Sequence, residues 1–314
     1  MTQGSADPGT KRVAIATSGA RAATLASLQS SSQRDKVVHT VFISMMLVAL
    51  GLALIGLASL IVFMAVEGGP RLEWGLLTGV PSTISPETAG FRTAILGTLY
   101  VVGGVVLLIV PLGVGAAIYL EEYADNTRWW NRLIELNIQN LAGVPSIVFG
   151  ILGRAFIVRG PISLGFVAAA GSLTLALLVL PTVILAGREA IRAVPSSITD
   201  GSLALGATRW QTIKGQVLPA AIPGILTGII LAVARAVGEA APLLLVGAVT
   251  FVTFNPKFFA DGYSTLPVMI FQYANRPQDE FRILAAAGVI VMLVIVLLMN
   301  SLAVWLRDRF ERRW

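Results

Sequence analysis

Cysteine is absent from this 314-residue chain. That excludes disulfides, thiol catalysis and thiolate-bound metal. Histidine is nearly absent as well: His39 stands alone, and a catalytic metal site built without Cys and with one His is not expected. Charge is scarce, at 13% Asp, Glu, Lys and Arg, where ordinary soluble domains carry about 25%. No G-x-x-x-x-G-K-[ST] string occurs, so the chain carries no P-loop and does not hydrolyse ATP by itself. What is abundant is apolar: 55% of residues are hydrophobic and mean hydropathy is +0.79. Apolar runs of 18 or more residues recur, and such runs are read as membrane helices.

Six spans are expected, and the fold class is an all-α membrane protein. Residues 1–36 are rich in Ser, Ala, Thr, Arg and Lys. A segment of that composition buries too little to fold and is expected to be a disordered tail. It also lacks the apolar core of a cleavable signal peptide, since Val13–Thr17 is too short. The first span is placed at 37–66, the second at 93–120 and the third at 137–158. The fourth is placed at 164–187, the fifth at 220–250 and the sixth at 283–306. The membrane domain is thus 37–306, and 307–314 (RDRFERRW) is a basic tail. Trp129 and Trp130, in the polar stretch 121–136, are placed as interfacial anchors.

The net charge of +6 is distributed as a membrane rule requires, and nucleic acid is not an expected partner. Lys11, Arg12, Arg21, Arg34 and Lys36 precede the first span. Arg188, Arg192, Arg209 and Lys214 lie between the fourth and fifth, and Arg307, Arg309, Arg312 and Arg313 follow the sixth. The alternate loops are sparser in basic residues, with Arg71, Arg92, Arg154, Arg159, Lys257, Arg276 and Arg282. Basic residues mark the cytoplasmic side, so both termini and loop 188–219 are expected there, with Tyr263 outside.

Within that loop, Asp200–Pro219 reads DGSLALGATRWQTIKGQVLP. Ser202–Leu205 is helix-compatible. Gly206 permits positive φ or a close backbone approach. Ala207 and Thr208 are small enough to enter a cleft, and Pro219 suits the first turn of the next helix. On its own chemistry the segment is also compatible with an ordinary amphipathic connector.

Arg235 and Glu239, in ARAVGEAAPLLLVG, fall in the fifth apolar run, four residues apart and so on one helix face. A charge at the bilayer centre costs at least about 2.5 kcal/mol on insertion scales and defaults to a pathway or a partner. The guanidinium offers a fork of donors suited to a tetrahedral oxyanion. Glu239 cannot bind an anion while ionised, and its expected role is to hold Arg235. Pro242 lacks the N–H that would reach the carbonyl of Gly238, so a weakened helix is expected there. A static ion pair joining helices accounts for the same two residues. In AGVPSIVFG, 142–150, Pro145 imposes a kink and Ser146 either satisfies a freed carbonyl or faces a cavity. Gly143 and Gly150 suit close helix packing.

Three strings carry a resemblance. Aligned on Gly206, the 200–219 segment resembles the coupling loop of ABC-importer permeases, Glu-Ala-Ala, three residues, Gly, nine residues, Ile, one residue, Leu-Pro. Gly206, Leu218 and Pro219 match; Asp200 replaces Glu, Gly201 and Ser202 replace the alanines, and Gln216 replaces Ile. With AGVPSIVFG, LGATRWQTI and GEAAPLL, in which Ala240 replaces an expected Thr, the chain from about 92 to 306 resembles the PstA-type permeases of bacterial phosphate ABC importers. The resemblance implies a MetI-like, six-helix ABC permease architecture in the bacterial inner membrane. It implies ATPase coupling through Asp200, Leu205, Gly206, Ala207, Thr208 and Arg209, and a substrate pathway including Arg235, Glu239 and Ser146. The implied partners are a homologous PstC-type permease in a heterodimer, two cytoplasmic ATPases that bind the ATP and Mg, and a periplasmic or lipid-anchored phosphate-binding protein. No cofactor is expected in this chain. A permease for another oxyanion such as sulfate or molybdate, and a membrane scaffold or sensor without transport, stay open as alternatives.

Overall fold

A computed structural model describes residues 33–125, 127–248 and 252–310. The expected tail therefore lies, over 1–32, outside the described residues. Residues 33–36 are already helical, and so are residues 307–310 at the other end.

The chain divides into two compact units, residues 1–63 and 64–314. The described part of the first is most of α1, Gln33–Gly68. Its apolar side chains are exposed almost throughout, as expected of a helix whose solvent is lipid.

The second unit is built on three long helices: α3, Arg92–Ile118, α6, Ala168–Arg192, and α9, Leu218–Gly238. Between α1 and α3 lies the short α2, Trp74–Thr78. A π-helical turn, Tyr119–Tyr123, ends α3. Next come α4, Trp129–Ala142, and α5, Ser146–Leu152, itself extended by a π turn, Gly153–Val158. The loop after α6 holds α7, Ser196–Ala204, and α8, Arg209–Thr212, and a third π turn, Ile213–Val217, leads into α9. The chain closes with α10, Ala241–Leu245, α11, Leu266–Ala274, and α12, Asp279–Phe310.

α3, α6 and α9 pack against one another around Val105, Ile109, Leu175, Val179, Ala232 and Ala236. Apolar burial does not drive helices together in lipid, so contact depends on close approach through small residues. Gly104 lies against Ser172, Gly113 against Val183, Gly187 against Ala117 and Gly228 against Ala186. The Ser172 hydroxyl donates across the interface to the Val101 carbonyl at 3.0 Å. α11 and α12 form a second core with the start of α3, around Phe91, Met269, Tyr273 and Leu284.

Among the described residues, five helices are long and apolar enough to cross a membrane, or six if α4 and α5 together make one broken span. The expected third span, 137–158, is not one helix. α4 and α5 meet at 108°, because Pro145 caps α5 in an extended conformation and cannot continue α4. The fifth span also ends early: α9 stops at Gly238 instead of running to 250. The fourth runs on to Arg192, which moves Arg188 and Arg192 from the loop onto a helix end.

Candidate functional site

Two sets of sequence-predicted residues occupy separate places. The first is the segment between α6 and α9. Pro195 starts α7, and Asp200 lies exposed on that helix. Leu205 follows it and is 91% exposed. Gly206 turns the chain with φ +85°, a conformation that residues with a side chain rarely adopt. Nothing lies near the position its Cβ would take, so of the two expected reasons for glycine only the backbone one is realised within this chain.

Thr208 has a role within the chain as well as its small size. Its side chain closes a capping box, with Oγ1 accepting from the Gln211 amide at 3.4 Å and the Thr208 amide donating to Gln211 Oε1 at 2.8 Å. Ser202 on α7 and Thr212 on α8 share a hydroxyl hydrogen bond of 2.9 Å. The two short helices therefore form one stiff hairpin. Ala207, half-buried, lines an open cleft of about 440 Å³ with Ser197, Ile198, Gly201, Leu205 and Gln216. The Arg209 guanidinium stacks 5.3 Å from the Tyr123 ring centroid.

The second set lies where α9 breaks. Arg235 is in the last turn of α9, and Glu239 is past its end with extended backbone (φ −80°, ψ 113°). They do not share a helix face in the middle of a longer helix, as the spacing suggested. The carboxylate still reaches back, with Arg235 Nε 3.5 Å from Glu239 Oε1. That is one long contact, and the Arg235 side chain is 42% exposed. Among the described residues no other partner meets it, which leaves most of the guanidinium fork for another acceptor.

Ser146 opens α5 and is half-buried. The break before it and the break after α9 are brought close by packing: a Cβ on Gly150 would stand 2.7 Å from Pro242 Cα. Gly150 is thus the packing glycine that its string suggested. Gly143 meets only its own chain at Asn140.

Tyr263, whose loop is expected on the outer side of the membrane, is itself fully buried in the fold. Its hydroxyl has no hydrogen-bond partner among the described residues and packs on Gly171. Burial pushes the phenol's pKa up, so it stays neutral.

Sequence reasoning missed a charged cluster that joins α6 to the end of α3 and to α4. Arg188, only 6% exposed, holds Glu121 at 3.3 Å and Glu135 at 2.9 Å. Arg192 grips the same Glu121 with two nitrogens, at 2.8 and 3.0 Å. The one available signal was that these four charges all sit near span ends.

Five or six membrane-length helices among the described residues, with a hairpin projecting between two of them, define a multi-span helical membrane protein. Comparison with known proteins gives the family. The sequence model of the "Binding-protein-dependent transport system inner membrane component" family matches residues 109–314, and the chain belongs to it. It is therefore a multi-pass, non-catalytic inner-membrane component of an ABC transporter. It is 33% identical to the "Probable ABC transporter permease protein YqgI" of Bacillus subtilis, over 81% of this chain and 88% of that one. It is 35% identical to the "Phosphate transport system permease protein PstA 1" of Mycobacterium tuberculosis, over 73% and 75% respectively. It is 36% identical to the PstA of Haemophilus influenzae, over 74% and 81%. Among solved structures, a bacterial alginate ABC transporter in complex with its pentasaccharide-bound periplasmic protein matches 88% of this chain and 96% of its own. Its TM-score is 0.60 at 15% identity. The inward-facing MetNI methionine transporter matches 69% and 92%, with TM-score 0.54 at 18% identity. These two likenesses establish the shared fold.

Proposed function

We propose that this chain is the phosphate-translocating permease of the PstA type, paired with a related PstC-type permease. Two cytoplasmic ATPases bind the ATP and Mg, and a periplasmic or lipid-anchored binding protein delivers phosphate. The observation that carries the phosphate reading is Arg235. It is a guanidinium at a helix break, held among the described residues by one long contact and 42% exposed, and a fork of this kind suits an oxyanion. The PstA relatives at 35–36% identity support the same substrate. Arg235 meets the anion, Glu239 positions Arg235, and Ser146 faces the same path from α5.

The hairpin 196–212 is the lever on which the ATPases act. Asp200, Leu205, Gly206, Ala207, Thr208 and Arg209 give it an exposed tip, a glycine-only turn and a capped base. Both chain termini and this hairpin face the cytoplasm, in keeping with their basic residues.

The test is ATP-driven uptake by the reconstituted complex, with its binding protein loaded in turn with phosphate, sulfate or molybdate. Uptake and stimulated ATPase activity with phosphate alone are expected. Equal uptake of sulfate would assign a broader oxyanion carrier, and stimulation without uptake would assign a sensor. Orientation is read separately with single cysteines. An impermeant reagent added outside should label position 259, where Phe259 is 74% exposed, and spare position 205. The reverse pattern would remove the lever assignment.

A further inference from the structure

The π turn Tyr119–Tyr123 is held from two directions. From α6, Arg192 forks onto both oxygens of Glu121 at 2.8 and 3.0 Å, and Arg188 reaches the same carboxylate at 3.3 Å. From the hairpin, Arg209 stacks on Tyr123, two residues further along the same turn. Arg188 then passes the connection onward, through Glu135, to α4 at 2.9 Å. α4 is the first arm of the broken span, and α5, its second arm, packs through Gly150 on Pro242, just beyond Glu239. These contacts connect the hairpin to the break beside Arg235, through an exposed ring stack at Tyr123 and then through the Glu121 and Arg188 ion pairs.

A π turn suits this role. It carries one residue more than an α-turn and marks a place where a helix changes register at functional sites. The hairpin itself does not bend, because the Thr208 capping box and the Ser202–Thr212 bond close it. A push on a stiff lever is felt at its anchor, and the anchor on this side is the ring of Tyr123. Force on an element moves what is bonded to it most tightly. For this turn that is α6 through a bidentate carboxylate, and α4 through a guanidinium that is 6% exposed.

We propose that Glu121 and Tyr123 are positioning residues for transport: they take the movement of hairpin 196–212 at the π turn and, through Arg188 and Glu135, deliver it to the broken span α4–α5. The proposal rests on the reading of the hairpin as the ATPase lever.

The experiment uses the full complex, with both permeases, the ATPases and the loaded binding protein, and reads phosphate taken up per ATP hydrolysed. Arg209→Gln, Tyr123→Leu and Arg192→Gln all alter partly or fully exposed side chains. They are expected to assemble normally and to lower that ratio roughly twofold to thirtyfold, the range of measured coupling changes, while ATP hydrolysis continues. Tyr123→Leu combined with Arg209→Gln should be no worse than either alone, since both cut one contact. Glu121→Gln is expected to fall in the same range. Should it fail to assemble, the two exposed arginines and Tyr123 still decide the matter. An unchanged ratio in Arg209→Gln and Tyr123→Leu, or fully additive losses in their double variant, would overturn the proposal. Gly206→Trp separates this failure from failure of the lever reading. If Gly206→Trp uncouples while the Tyr123 and Arg209 variants stay coupled, the lever stands and the π-turn route falls. If Gly206→Trp transports normally, the lever reading falls and takes the route with it.

Discussion

The two arginine–glutamate sites share a chemistry and differ in everything that decides what it is for. Arg188 is 6% exposed and has a carboxylate on each side, while Arg192 completes Glu121 with a bidentate grip. Arg188 uses Nε and Nη1, and Arg192 uses Nε and Nη2, on the two carboxylates. Arg235 is 42% exposed and touches Glu239 once, at 3.5 Å. A buried, saturated pair fixes the elements it joins, and removing one member strands the other. An exposed, single-contact pair contributes little to stability and leaves its guanidinium open to a stronger acceptor. The difference is set by the backbone. Arg188 sits on a continuous helix facing two others, whereas Arg235 sits three residues before a helix end, with its partner already in extended chain.

The largest effect expected from this contrast is functional. Arg235→Gln should cut phosphate uptake by at least about a hundredfold, the scale of losing an electrostatic contact to a reacting or translocating oxyanion, with the complex assembled at normal abundance. Arg235→Lys should recover little, because it keeps the charge and loses the fork. Uptake within a few-fold of the unsubstituted protein in Arg235→Gln would place the anion elsewhere.

The next effect is on stability and falls on the other site. Arg188→Gln should destabilise the assembled protein by about 3 kcal/mol, since it leaves Glu121 and Glu135 short of a buried partner. The same change at Arg235 should cost under about 1 kcal/mol. Thermal unfolding of the purified complex in detergent checks both. Equal losses at the two sites would erase the distinction. A smaller effect tests the packing beneath. Gly187→Val should cost about 1–3 kcal/mol, because its added atoms meet Ala117 of α3. An unchanged melting temperature would show that α3 and α6 are less closely packed than the glycines imply.

Much of this was legible in the chain. The apolar runs located the long helices, because a span must satisfy its own backbone and so reads as an uninterrupted apolar stretch. Pro145 and Pro242 announced the two breaks. Their size was not legible: a proline says that a helix cannot continue unperturbed, but the 108° turn between α4 and α5 depends on what they pack against. Gly206 disclosed its positive φ through its type alone. The partners of Arg188 did not, since they lie 67 and 53 residues away in sequence. The burial of Tyr263 was not legible either: charge distribution assigns its loop a side of the membrane, and only the fold shows that Gly171 leaves room for its ring.

The central claim is that Arg235 is free to serve the anion and is not a fixed half of a pair. The most direct measurement is ATP-driven phosphate uptake by the complex carrying Arg235→Glu together with Glu239→Arg. Exchanging the charges keeps the ion pair and moves the guanidinium one helical turn along the chain. No uptake above background, in a complex that assembles and hydrolyses ATP, is the result predicted. Uptake restored to the level of the unsubstituted protein would contradict it and leave Arg235 a structural residue.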